Sequence, residues 1–227
     1  MKITAITGSG VSAASNIPTY RSAGSGWDNY ATGIAHYTRY GNHLPEVWKH
    51  WTAMGRLIES SEPNPAHYAL AQHDVFIITQ NVDGLHGLAG SQNVIELHGD
   101  MRSMRCLRCR KSSPLDLSTE SPECSHCGSA RVRSNAVLFG EPIPRKRIEA
   151  AMSAINCADL VIVAGTSGTV WPARGFVEHA VLTGKETVLF DMEEWPDAPD
   201  FTGISLGPCE ENLPEYLDWV AKEVKEP

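Results

Sequence analysis

The chain has 227 residues, 42% of them apolar and 20% charged, the composition of a folded globular protein, which excludes disorder as its main state and a fibrous repeat. A chain of this length buries roughly 70–75% of its unfolded surface, room for one large core with a small module but not for a long multidomain array. With 19 basic against 27 acidic residues the net charge is −8, so the protein as a whole repels phosphate backbones. No stretch approaches the ~20 apolar residues a membrane span needs, and Met1 to Thr7 lack the apolar run of a signal peptide. A cytoplasmic chain is expected, with no membrane association and no appended targeting segment.

In chain order, short β-branched runs alternate with longer helical patterns. Strands are expected at residues 3–7, 75–79, 94–97, 136–139, 160–164 and 187–190, and helices at 45–59, 66–72, 144–154, 173–182 and 213–222. Leu160-Val-Ile-Val-Ala164 is apolar on both faces, as in parallel strands covered by helices on each side. The pattern predicts an α/β fold with a doubly wound, Rossmann-like parallel sheet. Residues 101–133 interrupt it. Residues 1–100 and 134–227 are therefore expected to form the large domain and 101–133 a small zinc-ribbon domain inserted in it, with a helical insertion near 25–60 packing alongside.

The inserted segment carries Cys106-Leu-Arg-Cys109 and, fourteen residues on, Cys124-Ser-His-Cys127. Each pair turns two thiolates toward one point, and two pairs supply a tetrahedral zinc site. Two disulfides are the competing pairing, which a reducing compartment and the i, i+3 spacing disfavour. Four thiolates close the coordination sphere, so this metal is structural and not catalytic. His126 lies inside a knuckle as a bystander, and Cys157 and Cys209 stand alone. The segment holds seven basic residues against three acidic, a net of +4 that leaves −12 elsewhere.

Ligands of a doubly wound sheet bind beyond the carboxyl ends of its strands, and five strand ends carry unusual residues. Thr7-Gly8-Ser9-Gly10-Val11-Ser12-Ala13 is a GxGxxA turn, where a backbone can approach a pyrophosphate. The acidic partner of a dehydrogenase is not placed to follow it, since Asp28 sits in the Gly/Ser loop Ala23 to Trp27. Gln80-Asn81-Val82-Asp83 and Leu97-His98-Gly99-Asp100 put polar groups at the ends of apolar strands, as site residues or as caps and Asx-turns. Gly165-Thr166-Ser167-Gly168 falls short of a nucleophile elbow because Thr169 stands where glycine is required. Asp191 directly follows the last predicted strand, placed to accept from ribose hydroxyls.

In this order the pieces resemble the sirtuins, the NAD-dependent protein lysine deacylases, and are closest in pattern to bacterial, class III-like members. Gly8-Ser-Gly-Val-Ser-Ala-Ala-Ser-Asn-Ile-Pro-Thr-Tyr-Arg21 is similar to the family's GAGxSxxSGIPxFR loop. Gln80 to Asp83, Leu97 to Gly99, both CxxC pairs, Val137 to Glu141 and Gly165 to Ser167 follow in the family's order. The resemblance implies NAD as cosubstrate, one structural zinc on Cys106, Cys109, Cys124 and Cys127, and acyl-lysine proteins or peptides as partners. It assigns Gly8, Ser9, Gly10, Ser12, Ile17, Pro18, Tyr20, Arg21 and Trp27 to the pyrophosphate and nicotinamide ribose. Gln80, Asn81, Val82 and Asp83 fall to the ribose and carboxamide, Gly165, Thr166 and Ser167 to the adenosine side, Asp191, Met192 and Glu193 to its ribose, and Cys209 to adenine. His98 becomes the general base that activates a ribose hydroxyl, with Asn81 beside it as the second catalytic residue. Val137, Phe139, Gly140, Glu141 and Val170 would hold the peptide as an added strand.

Several positions depart from the family. Ser9 replaces alanine, Asn16 replaces glycine and is expected to alter a turn, Thr19 stands where many relatives have aspartate, and Asp191 replaces asparagine. Trp51 and Met54 occupy the places where desuccinylating members carry tyrosine and arginine, so a neutral acyl group is expected over succinyl. An NAD glycohydrolase or ADP-ribosyltransferase would use the same loops without the peptide strand. A zinc-ribbon nucleic-acid module would use the +4 segment, against which the acidic remainder argues, and no HxE motif supports a zinc deaminase.

Overall fold

The computed structural model describes residues 1–20, 36–42, 44–119 and 121–223. Arg21, Trp27, Asp28 and the first part of the expected helical insertion lie outside them. The strands are β1 (Ile3–Thr7), β2 (Phe76–Thr79), β3 (Val94–Glu96), β4 (Ser103–Cys106), β5 (Ser112–Pro114), β6 (Val132–Ser134), β7 (Leu160–Ala164), β8 (Glu186–Asp191) and β9 (Gly203–Leu206). The helices are α1 (Leu44–Glu59), α2 (Pro65–Gln72), α3 (Leu85–Leu88), α4 (Arg145–Cys157), α5 (Ala173–Leu182) and α6 (Cys209–Glu223), with a 3-10 helix at Ser9–Ser15. Among the described residues no helix is long and apolar enough to cross a membrane.

Six strands form one sheet in the order β3-β2-β1-β7-β8-β9, parallel throughout. The chain builds outward from β1 to one side and then returns to build outward from β7 to the other, so the gap between these two strands is a topological switch point. Burial on both faces explains the unbroken apolar runs. Ala5, Ile77, Ile162 and Phe190 pack under Leu70 of α2 and Leu213 and Leu217 of α6. Ile6, Ile78, Val161, Val163 and Leu189 pack on the opposite face against Ile155 of α4 and Phe176 and Val177 of α5.

The second sheet, antiparallel in the order β5-β4-β6, carries the paired cysteines. Helix α1 packs on it through Val47, Trp48, Trp51, Met54 and Ile58, which share a core with Met101, Met104, Val132 and Leu138. These strands are three or four residues long, too short for a pattern to stand out in the sequence, although β4 does alternate, with Met104 and Cys106 buried.

One expected strand is absent: residues 136–139 join no ladder. Val137 donates its N–H to the His98 carbonyl at 2.7 Å and Leu138 to the Glu141 carboxylate at 2.9 Å. Only Phe139 bridges, to His36. Strand β9 was missed because it is a half-exposed edge that begins with glycine. Helix α6 begins at Cys209, ahead of the expected start at residue 213, and carries Pro214 inside it.

The glycines after β1 serve packing between backbones. Gly10 donates its N–H to the Gly165 carbonyl at 2.8 Å. A Cβ on Gly10 would lie 2.7 Å from the Gly165 Cα, and one on Gly165 would lie 2.4 Å from the Val11 nitrogen. Gly165 also has φ +58. Gly184, with φ +69 and nothing within 4 Å of its missing Cβ, isolates the conformational part of that cost, about 1–2 kcal/mol for an alanine in the left-handed region. Gly165→Ala should therefore cost at least ~2 kcal/mol more than Gly184→Ala in urea denaturation, and equal losses would contradict the crossing.

Candidate active site

A cavity of about 600 Å³ opens beyond the carboxyl ends of the parallel strands at the switch point. Its lining joins four strand ends. Gly8, Ser9, Gly10, Ser12, Ile17, Pro18 and Tyr20 come from the loop after β1, and Gln80, Asn81, Val82 and Asp83 from the turn after β2. Gly165, Thr166 and Ser167 follow β7, and Asp191, Met192 and Glu193 with Cys209 close the far end. His98, Met54, Val137, Phe139, Gly140, Glu141 and Val170 line the remaining wall. Of the expected cofactor and substrate residues within the described chain, Trp51 is the exception. It is 0% exposed, inside the core beneath the cysteine-bearing sheet. The position one turn after Met54 reaches the lining instead, as Ile58, because residues four apart share a helix face.

The Ser12 hydroxyl is the hub of the buried polar groups. It donates to Asp83 Oδ2 at 2.8 Å and accepts from Asn81 Nδ2 at 3.0 Å. Asp83 Oδ1 accepts from the Leu85 N–H at 2.9 Å. Burial pushes the Asp83 carboxyl above its ordinary range, opposed by the bonds from Leu85 and Ser12 and by the Arg102 charge. His67 stands behind the hub, its Nε2 3.4 Å from Ser12 Oγ. Its Nδ1 faces the Asn64 N–H at 3.3 Å, so Nδ1 accepts and the proton sits on Nε2. His86 bonds Thr7 at 3.0 Å and lies 4.8 Å from His67, ring centre to ring centre. Burial lowers His67 to about 4, and burial plus the charge of His67 lowers His86 to about 3, so both rings are neutral at pH 7.

Sequence reasoning had not singled out His67. Its signal was the box Asn64-Pro-Ala-His67, in which the Asn64 side chain caps α2 while His67 faces back to the Asn64 N–H. Asn64 Nδ2 also donates to the Val11 carbonyl at 2.8 Å and Ser15 Oγ at 3.0 Å, tying α2 to the 3-10 helix.

His98 Nδ1 lies 2.9 Å from the Gln80 carbonyl. A carbonyl only accepts, so Nδ1 carries the proton and Nε2 keeps its lone pair. Burial lowers the His98 pKa, the bond to Gln80 raises it and the Arg147 charge lowers it, with a net fall. At neutral pH the ring is an unprotonated base.

Two departures from the resemblance find physical reasons. Asn16 ends the 3-10 helix in the left-handed region, φ 61, which asparagine tolerates better than most side chains, so the turn is kept. Ser9 Oγ accepts the Tyr20 N–H at 3.0 Å, using the hydroxyl that alanine lacks. Glu141 faces inward. Its carboxylate accepts from Arg105 at 2.9 Å, Arg133 at 2.8 Å and the Leu138 N–H at 2.9 Å, and Arg133 is 1% exposed. Burial alone would raise Glu141, but the bonds from Arg133 and Leu138 and the two guanidinium charges outweigh it and lower its pKa.

The ligand atoms of Cys106, Cys109, Cys124 and Cys127 all lie within 4.8 Å of one another. The Sγ pairs 106/127 and 109/124 are 3.7 and 3.6 Å apart. Thiolates ~2.3 Å from one zinc sit ~3.8 Å apart in a tetrahedron, whereas a disulfide needs ~2.05 Å. The spacing fits zinc. The N–H groups of Arg108 and Cys109 point at Cys106 Sγ at 3.3 and 3.4 Å, and they lower that thiol to about 6, the Cys109 bond contributing most.

A family model described as the Sir2 family matches residues 8–172. An NAD-dependent protein deacylase of Pyrococcus furiosus is 41% identical over 232 residues, covering 96% of this chain and 92% of the relative. One from Thermus thermophilus is 38% identical, over 87% of this chain and 82% of its own. Among solved structures, a mutant Sir2 homologue in complex with ADP-ribose superposes with TM-score 0.91 at 33% identity, over 100% of this chain and 94% of that one. A Sir2 homologue in complex with NAD gives 0.89 at 34% identity, over 99% and 91%. The chain belongs to the Sir2 family.

Because Cys106 and Cys124 also sit in the shared core of α1 and the small sheet, metal loss should reach beyond the knuckles. One zinc per chain is expected by elemental analysis. Chelation or Cys106→Ser should release it and lower the melting temperature. A chain that keeps its stability without zinc would contradict the structural role.

Proposed function

We propose that the protein removes acyl groups from lysine side chains of proteins, consuming NAD and releasing nicotinamide and O-acyl-ADP-ribose. The observation that carries this is one cleft at the switch point shared by the glycine crossing, the Ser12–Asp83–Asn81 cluster and a neutral His98 with Nδ1 tied to Gln80. A cavity of about 600 Å³ suits a dinucleotide and a side chain together. A structure described as a Sir2 protein with a deacetylated p53 peptide and 3′-O-acetyl ADP-ribose superposes on 98% of the chain at 29% identity, TM-score 0.84.

NAD, when bound, supplies a ribose carbon that accepts the acyl oxygen as nicotinamide leaves. Asp83 and Asn81, held by Ser12, would grip the carboxamide. His98 Nε2 would take the proton of a ribose hydroxyl, which is a poor nucleophile until deprotonated. Asp191 and the Gly165–Thr166–Ser167 turn would hold the adenosine side, and residues 137–141 and Val170 the peptide. Residues 101–133, with α1 packed on them, would act as the smaller of two lobes, 1–100 and 134–227 forming the larger. A four-cysteine zinc site fits a reducing compartment such as the cytoplasm.

Mass spectrometry after incubation with NAD and acyl-lysine peptides tests the reaction. O-acyl-ADP-ribose is expected, and nicotinamide release without acyl transfer would favour a glycohydrolase. His98→Ala should lower turnover by roughly 10²- to 10⁴-fold while NAD still binds. Because the His98 pKa is lowered, kcat/KM should be flat at neutral pH and fall only below the ordinary histidine value of 6.5. An acid limb above pH 7 would contradict His98 as the base.

The acyl end of the cleft is apolar, with Met54, Ile58, Ile17 and Met101 in its lining. Among the described lining residues there is no lysine or arginine to receive a succinyl carboxylate. Losing that charge-assisted bond is worth roughly 1.5–3 kcal/mol, so acetyl or a longer neutral acyl group should be preferred about ten- to a hundredfold in competition. Preference for succinyl would refute the apolar pocket.

A further inference from the structure

Trp171 is 67% exposed although it lines the cleft. An indole so open on a folded surface needs a reason, and here its position is built. A Cβ on Gly175, in the first turn of α5, would lie 2.4 Å from ring atom Cζ3 of Trp171. The ring therefore rests directly on helix backbone that a larger residue would lift it from. The neighbouring cation is spoken for: Arg174 bonds Glu178 at 2.6 Å, the Gly168 and Asp197 carbonyls at 3.2 and 2.7 Å, and lies over the Trp195 ring at 5.7 Å. Among the described residues no cationic group lies over Trp171.

The charge of the cleft that the ring lines points to its occupant. Glu141 is paired with Arg105 and Arg133 and Asp83 is held beneath the floor, which leaves Asp191, Glu193 and Glu210 to set the sign, with neither lysine nor arginine in the described lining. A cleft lined by one sign of charge concentrates the opposite sign, and indole is the aromatic face that holds a cation best.

We propose that Trp171 is a specificity platform on which an arginine or lysine of the substrate, within two positions of the acyl-lysine, stacks its cationic head. The inference rests on the deacylase reading and names the substrate class within it: acyl-lysines in basic sequence. An apolar flanking residue would gain the contact area without the field, and an acidic one would meet the carboxylates.

The test uses acetyl-lysine peptides carrying Arg, Leu, Ala or Glu at each position from two before to two after the acyl-lysine. Binding is measured by calorimetry without NAD and kcat/KM with it. At one position the wild type should favour Arg over Ala by about 2- to 30-fold, the range of a cation–π contact, mostly through KM, with Leu between and Glu last. In W171A that ratio should fall to about one, and W171F should retain much of it. Because the readout is a ratio within one variant, a general loss of activity in W171A does not imitate the result. An unchanged ratio in W171A, no Arg preference in the wild type, or Leu equal to Arg would overturn the platform. Deacylation without flank dependence sinks this inference alone. A preference in binding with no acyl transfer would sink the deacylase reading and leave the platform standing.

Discussion

Two loops leaving adjacent parallel strands touch backbone to backbone, and the cleft hangs from that contact. The Gly10 N–H reaches the Gly165 carbonyl at 2.8 Å, while Gly8 bonds Ala164 and Gly165 bonds Phe190. Three strand ends are thereby tied in a row with no side chain between them. The close approach turns the chain after β1 into the 3-10 helix at once, and that turn aims the Ser12 hydroxyl inward under the cleft floor. A looser crossing would move Ser12, and with it the carboxylate and amide it bonds.

From that hub the site divides into two electrostatic regimes. Beneath the floor, Ser12, Asp83, Asn81 and His67 satisfy one another in a dry network, where a half-satisfied member would be costly. Tautomers there are set by neighbours: the Asn64 N–H makes His67 a donor toward Ser12. At the rim, the Gln80 carbonyl does the opposite to His98, accepting a hydrogen bond from its Nδ1–H and so leaving Nε2 with its lone pair. Gln80 belongs to the same turn as Asn81 and Asp83, so the strand end proposed to grip the carboxamide also orients the ring proposed to activate the hydroxyl, although that ring follows β3. Two buried neutral histidines make the fold sensitive to acid. His67 and His86 have folded pKa values below 6.5, so the unfolded chain binds more protons and stability falls as pH drops through 6.5.

The parallel sheet was legible because two-sided burial leaves unbroken apolar runs, and β1, β7 and α5 have the bounds their patterns predicted. The strand ends were legible because polar residues after such runs must be satisfied or functional. What escaped was set by tertiary context. Residues 136–139 have strand composition but spend their N–H groups on a carbonyl and a carboxylate at the cleft edge. Trp51 read as a pocket residue from its place in a motif. The helix turns it into the core, where its ring meets Trp48 edge-on at 4.9 Å. His67 hid in a cap, and nothing in the sequence showed that the Trp171 ring would rest on Gly175.

The basic cysteine segment is also resolved by charge. Four thiolates around a divalent ion carry a net −2, a charge absent from any count of Asp and Glu. Arg108 lies inside the first knuckle, Arg110 and Lys111 follow it, and Arg131 precedes β6. All four are exposed, and none is in an ion pair among the described residues. Arg105 and Arg133 turn instead toward Glu141. The segment's +4 thus falls to about half once the metal centre is counted, and two of its cations are spent on the cleft wall. The brace of residues 136–141 takes two of the segment's cations, and the thiolates of the metal site weaken the field of the four exposed ones beside it.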